Sequence, residues 1–206
     1  MPEQTVNFFF VADIIGIAAF TISGMLTGVR HQLDILGIAI VATLTALGGG
    51  ILRDGLIGKI PFAFSEYYPS LTVLFILTLS IVLRLYRKEE IERKLLFVLS
   101  DTLGLVAFSI TGALLGIAKE LNIFGVIILG FLTAVGGGII RDILLNRVPA
   151  VLTHDVYGTI ALLVSLSLAL LHLGGALNNY TVLTVGGITL VLRLVAYKRA
   201  WQLPKL

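Results

Sequence analysis

The sequence predicts an all-α polytopic membrane protein with seven transmembrane helices, arranged as two inverted three-helix repeats plus a seventh helix. Three observations support this fold class: an apolar composition, long apolar runs and an internal duplication. Of the 206 residues, 57% are hydrophobic and only 13% are charged, about half the charged fraction of a usual soluble domain. The mean hydropathy is +1.02. This composition argues against a soluble enzyme or binding domain and favours a chain that crosses a membrane several times.

The apolar runs are each about 17 residues or longer, which suits a helix that crosses a hydrocarbon core of roughly 30 Å. Charged residues cluster in the short segments between the runs. Because several of these joints are short, neighbouring spans should be antiparallel and adjacent. The predicted spans cover residues 8–29, 35–57, 68–86, 95–118, 123–145, 157–173 and 181–197.

The chain repeats itself at an offset of 88 residues. Residues 13–61 align with residues 101–149 without a gap, and 23 of the 49 aligned pairs are identical. We therefore predict repeat one over residues 8–86, repeat two over 95–173 and a seventh helix over 181–198, within one transmembrane domain that covers 1–206. Since each repeat holds three spans, the second copy should enter the membrane from the opposite side. Inverted repeats of this kind are common in transporters.

The distribution of Lys and Arg predicts the orientation of the chain. Eleven of these residues fall on one predicted side, and only Lys59 and Lys119 fall on the other, leaving aside Arg53 and Arg141 inside spans. The side rich in Lys and Arg is usually cytoplasmic, so the N-terminus should lie outside and the C-terminus inside. The same asymmetry accounts for the net charge of +3, and no nucleic-acid partner is expected.

Two glycine triplets stand near the middle of spans two and five. Three consecutive glycines weaken a helix, so we expect a break or kink at each triplet. Irregular backbone at membrane depth survives where it lines a polar cavity, and freed carbonyl oxygens can bind cations. The alternative is close helix packing, which small residues allow. The candidate pore residues are Gly48, Gly49, Gly50, Gly136, Gly137 and Gly138, with Thr45 and Thr133 just before the triplets.

An Arg-Asp pair follows each triplet: Arg53 with Asp54, and Arg141 with Asp142. Ionisable residues inside a span are costly and often mark a pathway or an ion pair. Neighbouring residues do not face each other on a helix, so each arginine is expected to pair with an aspartate of another segment. A purely structural ion pair and a role in gating both remain open.

Asp13 and Asp101 occupy equivalent positions near the start of each repeat. They could attract cations at the two mouths of a pore, or lie near a helix N-terminus and interact with its dipole. The chain has no cysteine, and its histidines have no second ligand at helical spacing, so neither a metal site nor a catalytic site is predicted.

The duplicated motif GGGxxRD in a chain of three, three and one spans resembles the prokaryotic branch of the TRIC family, the trimeric intracellular cation channels. This group is also labelled a glycine-transporter domain family. The resemblance implies a homotrimer in a cell membrane, in contact with lipids. Each subunit would carry its own pore for K⁺ and also Na⁺ between the repeats, lined by spans two and five kinked at the triplets. It implies no cofactor besides the permeant cation.

Two functions remain open from the residues alone. The first is a passive channel for monovalent cations, and the second is a secondary transporter of a small solute such as glycine. Inverted repeats and buried ion pairs fit either one. An enzyme is not expected, because no HExxH or GxSxG motif is present.

Overall fold

The computed structural model describes residues 3–153 and 156–201, and regular structure within these ranges is helical. His154 and Lys205, one of the basic residues of the C-terminal tail, lie outside the described residues. The described helices are α1 (Glu3–Arg30), α2 (Ile35–Leu56), α3 (Phe62–Ser65), α4 (Tyr68–Val82), α5 (Glu90–Ala118), α6 (Ile123–Leu144), α7 (Ala150–Thr153), α8 (Tyr157–Leu173) and α9 (Asn179–Lys198).

The internal duplication is visible in the helix boundaries. Helices α2 and α6 both contain 22 residues, and their first and last residues differ by the same 88 positions that relate the sequences. Both begin with the same device: Asp34 accepts a hydrogen bond from the Gly37 N–H, and Asn122 accepts one from the Gly125 N–H. Such caps satisfy an orphan donor of the first helical turn. Equivalent sequence thus gives equivalent local structure.

Helices α1, α2, α5 and α6 form a ring in which each helix packs against two others, in the order α1, α5, α6, α2. The α1–α5 contact is reciprocal. Phe20 and Phe108 meet edge to face with their ring centroids 5.3 Å apart. The Phe108 ring occupies the space beside Gly16, and the Phe20 ring occupies the space beside Gly104. Two aromatic rings and two glycines therefore interlock at the centre of the bundle.

The remaining long helices surround this ring. Helix α4 packs mainly on α1, while α8 packs on both α6 and α5. Helix α9, which follows the two repeats, packs on α5 and α8. The short helices α3 and α7 join α2 to α4 and α6 to α8, respectively. The duplicated pairs of helices thus form the centre, and the unduplicated helix lies beside repeat two.

The predicted spans agree with the observed helices except at three ends. Helix α1 begins at Glu3, and α5 begins at Glu90 rather than at residue 95. Glu90 and Glu92 occupy the first turn of α5, where negative charge stabilises the helix N-terminus. Helix α4 ends at Val82 rather than at residue 86, because Arg84 adopts a left-handed conformation with φ of 52° and a 3-10 turn follows at Leu85–Arg87.

Five of the described helices, α1, α2, α5, α6 and α9, are long and apolar enough to cross a membrane. Helices α4 and α8 are apolar but contain only 15 and 17 residues. At 1.5 Å per residue, 15 residues extend about 22 Å, which is less than the full hydrocarbon thickness. The count of seven spans and the inverted topology therefore stay predictions.

Candidate functional site: glycine crossing and buried ion clusters

The glycine triplets lie inside uninterrupted helix. Helix α2 runs through Gly48–Gly50, and α6 runs through Gly136–Gly138, with every one of these glycines buried. The expected break in the backbone is therefore wrong. In a membrane the helix keeps its own hydrogen bonds because a freed amide or carbonyl has no water to bind. A bend within the continuous helix stays a prediction.

The triplets form the crossing point of α2 and α6. A Cβ atom built on Gly49 would collide with the carbonyl oxygen of Thr133, and one built on Gly137 would collide with the carbonyl oxygen of Thr45. A Cβ on Gly48 would lie 3.4 Å from the Gly137 Cα. The two backbones are thus in direct contact, which is the close-packing alternative. In this structure the facing helix fills the space beside Gly48, Gly49, Gly136 and Gly137, and the Phe62 ring fills the space beside Gly50, where a cavity was expected.

Thr45 and Thr133 are buried at the same crossing. The Thr45 hydroxyl donates to the Val41 carbonyl, and the Thr133 hydroxyl donates to the Leu129 carbonyl, at 2.6 Å in both cases. Both hydroxyls are therefore satisfied within their own helices, and each residue presents its backbone carbonyl to the opposite glycine. Their predicted part in lining a pore remains untested by this arrangement.

A cluster of charged and polar side chains lies at the C-terminal end of α2; we name it the repeat-one cluster (Asp13, Arg53, Asp54 and Tyr68). Arg53 donates through Nη1 to Asp13 Oδ1 at 3.0 Å and through Nε to Asp54 Oδ1 at 2.8 Å. The Tyr68 hydroxyl donates to Asp13 Oδ2 at 2.9 Å, and the Phe62 N–H donates to Asp54 Oδ2 at 2.8 Å. The side chains of Asp13, Arg53 and Asp54 are at most 2% exposed.

The equivalent arrangement at the end of α6 is the repeat-two cluster (Asp101, Arg141, Asp142 and Ser23). Arg141 donates through Nη1 to Asp101 Oδ1 and through Nε to Asp142 Oδ1, both at 3.0 Å. The Ala150 N–H donates to Asp142 Oδ2 at 2.8 Å, as Phe62 does to Asp54. Each second aspartate therefore ties the end of its helix to the short helix that follows.

The expected pairing of the arginines is confirmed in part. Arg53 and Arg141 each bind an aspartate of another helix, which lies in the same repeat. Each also binds the aspartate that follows it in sequence, which we did not expect from helical geometry. The long guanidinium side chain turns back so that Nε reaches the adjacent carboxylate. One arginine thereby neutralises part of the charge of two acids.

Asp13 and Asp101 lie well inside α1 and α5, not in the first turn. They are 0% and 5% exposed and bound to arginine, so neither forms an open pore mouth in this structure. The helix-dipole alternative is wrong as well, because both helices begin about ten residues earlier than these acids. Any part that these carboxylates have in attracting cations stays a prediction.

Three participants were not predicted from the sequence. Tyr68 completes the repeat-one cluster. Ser23 of α1 donates to Asp101 Oδ1 at 2.9 Å and accepts from Arg141 Nη1 at 3.0 Å, so it joins repeat one to the repeat-two cluster. Its duplicated counterpart, Thr111, instead donates to the Phe108 carbonyl of its own helix.

Arg193 of α9 is buried over the Tyr157 ring. The position of Arg193 inside the last apolar run is the sequence signal that could have identified it.

The comparisons with known proteins agree with this duplicated arrangement. A family model described as glycine transporter matches the chain twice, over residues 10–85 and 98–173. The two matches are offset by the same 88 residues. The chain belongs to this family. Its resemblance to the prokaryotic TRIC branch is confirmed by matches to solved TRIC structures across nearly the whole chain.

Three relatives illustrate the match. The membrane protein YvgT of Bacillus subtilis is 36% identical over 199 residues, which cover 93% of both chains. A structure solved in work on conductance through TRIC cation channels has a TM-score of 0.84 and 36% identity, covering 96% of this chain and 97% of that chain. The TRIC trimeric intracellular cation channel orthologue from Rhodobacter sphaeroides has a TM-score of 0.87 and 27% identity, covering 96% and 100%. The TRIC structures are described as channels, not as enzymes.

Proposed function

We propose that this chain is a channel for monovalent cations, K⁺ and also Na⁺, with a pore in each subunit between the two repeats. The observation that carries the proposal is the likeness of the whole fold to solved TRIC cation channels at 31–36% identity. The buried charged clusters give that likeness a chemical basis, because ionisable groups inside a membrane usually mark a path for ions or protons.

The ring of α1, α5, α6 and α2 supports the location of the pore. The repeat-one cluster and the repeat-two cluster lie at the C-terminal ends of α2 and α6, and with inverted repeats these two ends would face opposite sides of the membrane. The Ser23 to Arg141 hydrogen bond runs between α1 and α6, which are not neighbours in the ring. The glycine crossing and the Phe20–Phe108 pair close the middle. We interpret the arrangement as the closed state.

The assembly and orientation are parts of the same proposal. The orthologue from Rhodobacter sphaeroides is described as trimeric, so we propose a homotrimer in which every subunit conducts. Seven inverted spans would place the N-terminus outside and the basic C-terminal tail in the cytoplasm. The membrane would be the cell membrane, and its lipids would contact the exposed apolar faces of α4 and α9.

The second candidate is a secondary transporter of a small solute such as glycine. The description of the matching family model favours it, and inverted repeats suit a protein that alternates between two states. The two candidates differ in rate and in saturation. A channel passes ions orders of magnitude faster than a carrier and shows no counterflow of labelled solute.

The test is a recording of the purified wild-type protein in a planar bilayer under a KCl gradient. We expect unitary currents that reverse near the K⁺ equilibrium potential and persist when Na⁺ replaces K⁺. Replacement of both by a large organic cation should abolish them. Vesicles loaded with unlabelled glycine provide the comparison: saturable uptake of labelled glycine without unitary currents would overturn the channel and favour the carrier.

A further inference from the structure

Arg193 is a buried cation on the one long helix that the duplication does not include. The residue is 9% exposed, and its guanidinium carbon lies 5.2 Å from the centroid of the Tyr157 ring. Within the described part of the chain, the Nε atom of Arg193 is a buried donor without a hydrogen-bond partner. A buried donor without a hydrogen-bond partner is costly, and the contact of the guanidinium with an aromatic ring offsets part of that cost.

Tyr157 lies beside both Arg193 and the repeat-two cluster. Tyr157 shares a small internal crevice with Arg141 and Asp142. A Cβ atom built on Gly138 would lie 3.6 Å from both the Tyr157 hydroxyl and the Arg141 Nη2 atom, which places the ring directly beside the cluster. The guanidinium therefore brings a second positive charge into the neighbourhood of the repeat-two cluster.

The two clusters consequently differ in charge. The repeat-two cluster contains two carboxylates and one arginine, so its formal charge is −1 with both acids ionised, and the neighbouring Arg193 brings the sum to zero. The repeat-one cluster likewise contains two carboxylates and one arginine. In that cluster Asp13 accepts a hydrogen bond from the neutral hydroxyl of Tyr68. Among the described side chains, Arg53 is the one ion-pair partner of Asp13. The repeat-one cluster therefore keeps a formal negative charge.

We propose that Arg193 sets the charge of the repeat-two end of the cation path, so that conduction differs between the two directions. The inference rests on the proposed function as a cation channel. A positive charge in a poorly solvated site raises the energy of a cation that passes nearby. The negative repeat-one cluster concentrates cations at the opposite end, which is the predicted outer end. Inward current should therefore exceed outward current in symmetric KCl.

The test compares Arg193→Gln with the matched control Lys198→Gln. Lys198 is the last residue of the same helix and is exposed, so its loss removes one positive charge outside the cluster. Single-channel currents are measured at opposite voltages of equal size, and their ratio is the readout. We expect the ratio of Arg193→Gln to move at least about threefold towards one, while Lys198→Gln and Arg193→Lys keep the wild-type ratio.

A second pair of variants tests the charge itself and serves if Arg193→Gln alone does not fold. Asp101→Asn should leave the cluster with a surplus positive charge and increase the asymmetry of the current. The double variant Asp101→Asn with Arg193→Gln has the formal charge of the wild type and should return to its ratio. If Arg193→Gln leaves the current ratio unchanged both in the wild-type background and in the Asp101→Asn background, the inference is overturned. Absence of current from the wild type would instead refute the channel.

Discussion

Replacement of Gly49 by alanine tests the closed crossing most directly. The added Cβ atom meets the carbonyl oxygen of Thr133, a backbone atom that cannot rotate away. Helices α2 and α6 must therefore separate, and the contact between Gly48 and Gly137 on the same face opens with them. We expect Gly49→Ala to destabilise the folded protein even though alanine is the better helix former.

The expected magnitude follows from two opposing terms. Alanine gains about 1 kcal/mol over glycine in a helix interior. Overpacking a well-filled contact costs about 1–3 kcal/mol, and the upper end applies because the Cβ atom has no rotatable bond and the Thr133 carbonyl oxygen is a backbone atom. Gly55 lies in the same helix, and a Cβ atom added there would have no neighbour within 4 Å, so Gly55→Ala receives the helix-propensity gain without the collision. Gly49→Ala should therefore be less stable than Gly55→Ala by about 2–3 kcal/mol.

The assay is equilibrium unfolding in mixed detergent micelles, followed by loss of helical circular dichroism as the denaturing detergent is increased. Both variants are compared with the wild type in the same micelles, so that differences in free energy of unfolding are measured directly. If Gly49→Ala and Gly55→Ala differ by less than about 0.5 kcal/mol, which is usual for a surface substitution, the backbone contact between α2 and α6 does not exist in the folded protein.

Two further predictions concern the buried clusters. A double-mutant cycle with Asp13→Asn and Arg53→Gln should give a coupling free energy of unfolding of about 2 kcal/mol, because each single change leaves a buried group without its partner; a coupling below about 0.5 kcal/mol would contradict the ion pair. Ser23→Ala should cost about 1–3 kcal/mol, because it removes hydrogen bonds to two charged groups. Its counterpart Thr111→Ala should cost less, because that hydroxyl bonds only its own helix; equal losses would remove Ser23 from the repeat-two cluster.

Much of the fold could be predicted because the membrane constrains it. In lipid a helix satisfies the backbone hydrogen bonds within a single segment. The apolar runs between polar joints therefore predicted the helix bounds to within a few residues at most ends. The fixed offset of 88 residues gave the equivalence of the two halves before any contact was known. The early end of α4 was missed because a left-handed conformation at Arg84 has no signature in an apolar run.

The site was harder to predict, since it depends on side-chain reach and on contacts between distant segments. Arg53 and Asp54 pair although they are adjacent in sequence, because a flexible guanidinium can turn back along its own helix. Ser23 and Thr111 occupy equivalent positions but bond differently. The sequence duplication could not reveal that difference, since the two copies do not have identical surroundings: α9 packs on α5 and α8 of repeat two and has no duplicated counterpart.

The glycine triplets show why the same signal has two physical interpretations. Glycine weakens a helix in water, where a freed backbone group can bind solvent; in lipid that escape is absent, so the backbone stays helical and the missing side chains serve contact instead. In the proposed channel, opening must then come from separation of α2 and α6 as intact helices. The fixed parts are their ends, which Asp54 and Asp142 tie to the following segments. Separation must also draw the Ile140 side chain away from Gly48 and the Leu52 side chain away from Gly136, so the crossing opens against these two side-chain contacts as well as the contacts between glycine and carbonyl oxygen.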